Sequence, residues 1–531
     1  MKLKSYILLT AILIGTVLSS CENFLDRQPI SDLSIDIYWK SEKDIKTWNA
    51  GMYYGMQTTL RENWFKWGEV RSCIYAPTGT SPDKSILYNG LTSLHATTSW
   101  SDLYATIYRA NAGIKHIPET DLGPTIINPY LGQAHAMRAL MYFYAIRVWG
   151  AVPKVTEPYE DNSVQEKFVG RTSVEEIVEL ILEDIEKAIT YFGSETNMAS
   201  ADKYYLNRGS AMALKVDVLM WAHRYDEAKI AAESLINNYS YKLETNKDNY
   251  FNMFRRDADN KLSTSDTEII FSMYWDYNEY GNGFGGAGLF SSGSNSIPYH
   301  PSEEYYRTLI ARANEDVRSN IIMDTLRLSK TIRDKKGNPL YALTPETYAE
   351  EKPTIHCSKF VHADVTANNG FGGYFYPFNN QCQYHMPIYR LADIKLLYAE
   401  ALAMTNDLQG AIAIVNEIRL RAGWTEEATI ELYPTQKDVI KLIIDERTIE
   451  LWAEGKHWFD LVRTRMVKEY LDSILQNLEG NDAIEEGFDI GASDPGTDHI
   501  GGWGRMLWPL NQDVFKKNPL MKGQQNNPYD E

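Results

Sequence analysis

Cysteine is scarce in this chain, with 4 in 531 residues, which excludes a disulfide-stapled scaffold. One of them, Cys21, closes an apolar N-terminal run, leaving Cys73, Cys357 and Cys382. An odd number leaves at least one thiol unpaired, and a bridge between Cys357 and Cys382 stays open. Basic charge is also in deficit: 53 Lys and Arg against 71 Asp and Glu give a net charge of -18. Phosphate binding needs clustered cations that displace counterions, so this balance points away from nucleic acid or an anionic lipid surface as partner. Beyond the N-terminus no stretch reaches about 18 uninterrupted apolar residues, so no further membrane span is expected. Three catalytic signatures are missing: the His-Glu-x-x-His zinc pattern, the Gly-x-Ser-x-Gly elbow and the Gly-Lys-Ser/Thr phosphate loop. His356, Cys357 and His362 lack the tight paired spacing of a zinc site, and neither a metal nor a cofactor is expected.

What is present is material for a large core. Hydrophobic residues make up 44% and charged residues 23%, a balance that excludes a disordered chain. The 35 tyrosines outnumber the 17 phenylalanines, and 13 tryptophans join them. Tyr and Trp suit places where an apolar face must also hydrogen-bond, so part of this aromatic surface is expected to reach solvent or a ligand.

The N-terminus sets the compartment. Lys2 and Lys4 precede an apolar run over 7–18, followed by Ser19-Ser20-Cys21. This reads as a secretory signal and not a membrane-spanning helix. The tetrad Leu18-Ser19-Ser20-Cys21 resembles a bacterial lipobox, which would make Cys21 the acylated first residue of the mature chain. Acyl chains contribute about 0.8 kcal/mol per buried methylene, enough for a firm anchor when more than one is attached.

Helical periodicity organises the rest. Ser41 and Asp44 open a pattern through Ile45, Trp48, Met52 and Met56, and Ser99 and Asp102 open another through Leu103, Ile107, Ala110 and Ile114. A third helix is predicted over 130–149, ending at Gly150, and a fourth from Thr172 to Gly193. Two further pairs, 207–223 with 225–238 and 390–404 with 408–421, carry small alanines where helices cross and have a tetratricopeptide-like shape. Pairing 41–60 with 99–117 and 130–149 with 172–192 completes four hairpins. The predicted fold is therefore mostly α, with tetratricopeptide-like helical hairpins and an irregular, loop-rich insertion carrying a little β. In order come a signal peptide (1–20), a helical-repeat region with three hairpins (21–238), the insertion (239–387), and the fourth hairpin with the C-terminal region (388–531). Within the insertion, 268–275 reads as a strand leading into a glycine-rich run at 281–288, and a second Gly/Asn/aromatic segment spans 368–384. Long irregular segments in compact proteins usually carry function, which makes the insertion the expected site.

Several fragments resemble the SusD/RagB family of outer-membrane lipoproteins of Bacteroidetes. They are Cys21-Glu22-Asn23-Phe24-Leu25-Asp26; Ile107-Tyr108-Arg109-Ala110-Asn111; Gly132 to Ala139 running to Trp149-Gly150-Ala151-Val152-Pro153; Asp445-Glu446-Arg447 through Arg463; and the tail from Trp508 to Tyr529. The one departure is Asn527-Pro528, where the family usually has Pro-Gly. The resemblance implies four tetratricopeptide-like units beside an irregular ligand-binding region. It also implies capture of an oligosaccharide or polysaccharide at the cell surface, lipid anchoring in the outer membrane, and a SusC-like TonB-dependent transporter as partner.

Sugar chemistry selects candidate residues independently. A pyranose has an apolar CH face and a hydroxyl rim, so its site needs flat aromatics and planar polar groups. Trp64, Trp67, Arg71 and Tyr75 supply that mixture after the first helix; Trp275, Tyr277, Tyr280 and Asn282 supply it in the insertion; Tyr374 and Tyr376 are expected to converge with them. Against this stands a glycoside hydrolase reading, since Asp445, Glu446, Glu450, Glu454 and Asp460 form an acidic group. Local pairing with Arg447, Lys456, Arg463 and Arg465 accounts for that group without catalysis, so no enzyme activity is expected. A helical-repeat scaffold or peptide binder is the other alternative.

Overall fold

Ser41 starts the first helix as its sequence anticipates: the backbone N–H of Ser41 donates to Asp44 at 2.8 Å and that of Asp44 donates back to the Ser41 hydroxyl. In the computed structural model, the described residues are 38–72, 74–77, 84–87, 90–160, 168–197, 202–246, 249–250, 253–254, 267–275, 299–312, 315–322, 359–360, 384–467, 469–470, 506–526 and 529. Their helices pair as hairpins. Helix α1 (Glu42–Leu60) packs on α2 (Ser101–His116), α3 (Pro124–Trp149) on α4 (Val174–Phe192), α5 (Arg208–Trp221) on α6 (Tyr225–Asn238), and α7 (Leu391–Met404) on α8 (Leu408–Ala422).

Each crossing has a specific cause. Trp48 of α1 lies against Gly113 of α2, where a Cβ would collide with the indole, and its ring N–H donates to the Arg109 carbonyl at 2.9 Å. Between α3 and α4, Arg138 grips the buried Asp184 carboxylate with two bonds of 2.7 and 2.8 Å, and His135 meets the same group. The α5–α6 and α7–α8 hairpins cross on fully buried alanines, Ala211, Ala228 and Ala232 in one and Ala399, Ala401 and Ala411 in the other. Their short turns place His223 and Asn406 in the left-handed region.

Some helix starts differ from the sequence reading. Helix α3 begins at Pro124 and not at 130, because Pro fits the first helical position and Pro129 is tolerated early in the helix. Ser173 caps α4 in place of Thr172, which joins the small β2–β3 pair (Val152–Pro153 with Arg171–Thr172). Trp100, not Ser99, occupies the cap of α2.

Helix α6 packs directly on α7, so the third and fourth hairpins are spatial neighbours although the insertion separates them in sequence. The insertion leaves and returns through an antiparallel ribbon of β4 (Ile269–Trp275) and β6 (Tyr384–Arg390), and Arg390 is also the cap residue of α7. A second pair joins β1 (Tyr75–Pro77) to β5 (Tyr299–Pro301). Helices α9 (Gln436–Glu450) and α10 (His457–Arg463) close the core behind α7. Among the described residues, no helix is long and apolar enough to cross a membrane.

Candidate ligand-binding site

The ribbon positions the site. Its base is locked at Arg390, whose guanidinium donates to Glu268 at 2.8 Å, Glu450 at 2.6 Å and Glu454 at 2.9 Å, all fully buried. At the opposite end Trp275 pairs with Tyr384. Trp275 and Tyr384 are thus the facing ends of the two strands.

Beside that end the half-buried Tyr204 and Tyr274 pack around the buried His385. Tyr204 stacks parallel to His385 of β6, with ring centroids 5.4 Å apart, and its hydroxyl bonds His385 Nδ1 at 2.8 Å. Tyr274 of β4 tilts against Tyr204 at 5.2 Å. The Gln57 side chain on α1 donates to the Tyr274 carbonyl at 3.0 Å, pinning the ribbon to the first hairpin. Tyr54 precedes Gln57 by three residues, hence on the same helix face, and is 65% exposed. Tyr205, 43% exposed, stands edge-on to Tyr53 at 4.8 Å. Burial pushes the Tyr204 phenol above its ordinary range, aided by the neighbouring Tyr274 and Asp202, so it stays a neutral donor and acceptor at physiological pH. Such an arrangement offers flat apolar faces with hydroxyl and amide groups at their edges.

Two family models cover nearly the whole chain: one described as the SusD family matches residues 198–529, and one described as "Starch-binding associating with outer membrane" matches residues 23–215. The chain belongs to the SusD family. It is 30% identical over 540 residues to SusD-like protein P38 of Formosa agariphila, spanning 97% of this chain and 96% of that protein. It is 23% identical to a SusD-like protein of Bacteroides ovatus, spanning 87% of this chain and 82% of the relative. Among solved structures, B. fragilis NanU superposes with a TM-score of 0.67 at 22% identity, covering 95% of this chain and 100% of that one. A SusD superfamily protein of Bacteroides thetaiotaomicron superposes with a TM-score of 0.66 at 20% identity, covering 92% and 99%.

In this SusD-family chain the aromatics after the first helix are core and do not line a cleft. Trp64, Trp67, Arg71 and Tyr75 are each at most 3% exposed. The Trp67 ring N–H donates to the Thr97 carbonyl at 2.9 Å, and Arg71 stacks on Trp458 at 4.2 Å while donating to the Met506 carbonyl. Tyr75 donates its hydroxyl to the buried Glu69 carboxylate. The sequence expectation fails for these four because amphipathic side chains fill a core as readily as they line a site once their polar ends find internal partners. Trp275 is seen only through its backbone in the ribbon. Its side chain lies outside the described residues, as do Tyr277, Tyr280, Asn282, Tyr374, Tyr376, Cys21, Cys357, Cys382, His356 and His362.

The acidic group is paired, although mostly with residues distant in sequence. Glu446 meets Arg318 and Arg419, and Glu450 meets Arg318, Arg390 and Arg421. Glu454 meets Lys359 and Arg390, while only Asp460 takes the nearby Arg447 and Arg463. Arg447 spends its remaining donors on Asp393 and makes no ion pair with Glu450. Burial alone would raise the Glu450 carboxyl, but Arg421, Arg390 and Arg318 hold it well below the usual range. Asp393 is likewise drawn down to about 2 by Lys456 and Arg447 against burial. Glu446, Glu450 and Asp460, each held below the ordinary carboxylate range by bound guanidinium groups, are ionised at neutral pH, and their arrangement is that of a structural clamp.

Sequence reasoning missed Tyr204, Tyr205, Tyr274 and His385. The doublet Tyr204-Tyr205 just ahead of the Asn207 helix cap was the available signal, since aromatics in a loop that feeds a helix have no stripe in which to bury.

Proposed function

We propose that the chain captures glycan at the cell surface and delivers it to a TonB-dependent outer-membrane transporter. The observation that carries this reading is the pairing of Trp275 with Tyr384 beside the half-buried Tyr204 and Tyr274, which pack on the buried His385. Trp275, Tyr277, Tyr280, Asn282, Tyr374 and Tyr376 are the proposed sugar contacts from the two Gly/aromatic segments. The description of the matching family model as starch-binding and outer-membrane-associated supports the same reading. Residues 1–20 act as the signal peptide and Cys21 carries the lipid anchor. Residues 239–387 serve as the ligand-binding insertion between helical regions 21–238 and 388–531, whose repeat face rests on the transporter. Affinity is modest, because hydroxyls exchange water contacts for protein contacts at little net gain.

An array of host and plant glycans probed with the full chain tests this. Retention by one glycan class, lost on Ala substitution at Trp275 and Tyr277, supports it. A chain that binds no glycan, or one whose incubation with a glycan releases cleaved product, counts against it.

A further inference from the structure

A second cleft lies away from the ribbon and shares none of its residues. It has a volume of about 200 Å³ and opens between the start of α2, the segment after α3 and the short helix Gln512–Lys517. Its walls are aromatic and already fixed. Trp100 is held edge-on by Tyr104 at 5.4 Å and by Trp149 at 5.7 Å. Tyr104 is oriented by donating its hydroxyl to the Pro153 carbonyl at 2.7 Å. Tyr159, 41% exposed, lines it together with the half-buried Val155 and Val514.

The rim carries one charge of each sign. Asp513 makes only stretched contacts with Lys516 and Lys517, at 3.5 and 3.8 Å, and all three side chains are exposed. A carboxylate that accepts hydrogen bonds from hydroxyls beside an ammonium that donates them is balanced in charge, which favours a neutral polyhydroxyl ligand over an ionic one. The volume lies below the roughly 300 Å³ at which sites for drug-sized ligands begin, a size that suits a single sugar ring. Trp100 and Tyr104 are held before any ligand arrives, so they add little ordering cost to binding.

The geometry points to a separate subsite for a single neutral hexopyranose, stacked on Tyr159 and Trp100 and hydrogen-bonded by Asp513 and Lys517. It stands whether or not the ribbon site binds glycan. The test is saturation-transfer NMR on the full chain with methyl glucoside, methyl mannoside and methyl galactoside as probes. It is run in a background carrying Tyr204→Ala and Tyr274→Ala so that the ribbon cluster does not contribute. Transfer to at least one probe is expected in that background, falling at least fivefold on adding Tyr159→Ala and at least threefold with Asp513→Asn. Both residues are exposed, and an unchanged unfolding temperature shows that the variants keep the fold. No transfer to any of the three probes, or transfer that Tyr159→Ala leaves unchanged, overturns the proposal.

Discussion

Arg390 and Glu450 form a fully buried ion pair, 2.6 Å from the guanidinium to the carboxylate. Arg390 ends the ribbon and caps α7, while Glu450 ends α9, so this contact fixes the base of the ribbon to the helical body. Buried charges are expensive to desolvate, and this cluster is tolerated because each carboxylate finds more than one cationic partner.

Removing Arg390 therefore does more than delete a contact. Arg390→Met leaves Glu268, Glu450 and Glu454 short of a shared cation in a site closed to water. A loss of about 3–5 kcal/mol in unfolding free energy is expected, measured by urea denaturation. Arg390→Lys recovers little, because an ammonium cannot reproduce the fork that reaches three carboxylates.

Glu69 behaves in the opposite way from Glu450. Burial pushes its carboxyl up from 4.5 to about 7, only partly offset by the Tyr75 hydroxyl, the Ala453 and Gly455 backbone N–H groups and Lys359. The folded chain thus holds a proton that the unfolded chain has released, and the stabilisation is complete below about pH 4.5 and lost as pH rises towards 7. The change amounts to about 3 kcal/mol. Chemical denaturation of Glu69→Gln is expected to lack this decline across pH 4.5–7, whatever constant cost the amide brings.

Trp67→Ala separates core from site. The ring is 1% exposed and packs edge-on against Trp149 at 5.2 Å, so its removal is expected to cost about 3–5 kcal/mol of stability while folded protein keeps its glycan affinity. Thermal unfolding and glycan binding measured on the same sample check both halves.

Much of the helical scaffold was legible from sequence because amphipathic stripes and caps are local. Ile45, Trp48, Met52 and Met56 are all buried on one face of α1, as their spacing requires. Partners distant in sequence were not legible. Nothing near Glu450 indicates that Arg318, Arg390 and Arg421 will meet it, and the nearby Arg447 is drawn instead to Asp393 and Asp460. The same limit explains Trp64, Trp67, Arg71 and Tyr75, whose composition suits a sugar site but whose polar ends are satisfied inside the fold.

Affinity electrophoresis in gels containing the polysaccharide identified by the glycan array is the most direct test of the ribbon site. Tyr204→Ala combined with Tyr274→Ala removes the two central rings of the described cluster while leaving Arg390 and its carboxylates in place. At least tenfold weaker retention than the parent chain, measured on protein that still unfolds cooperatively on heating, is the predicted result. Equal retention of the variant and the parent would contradict the account.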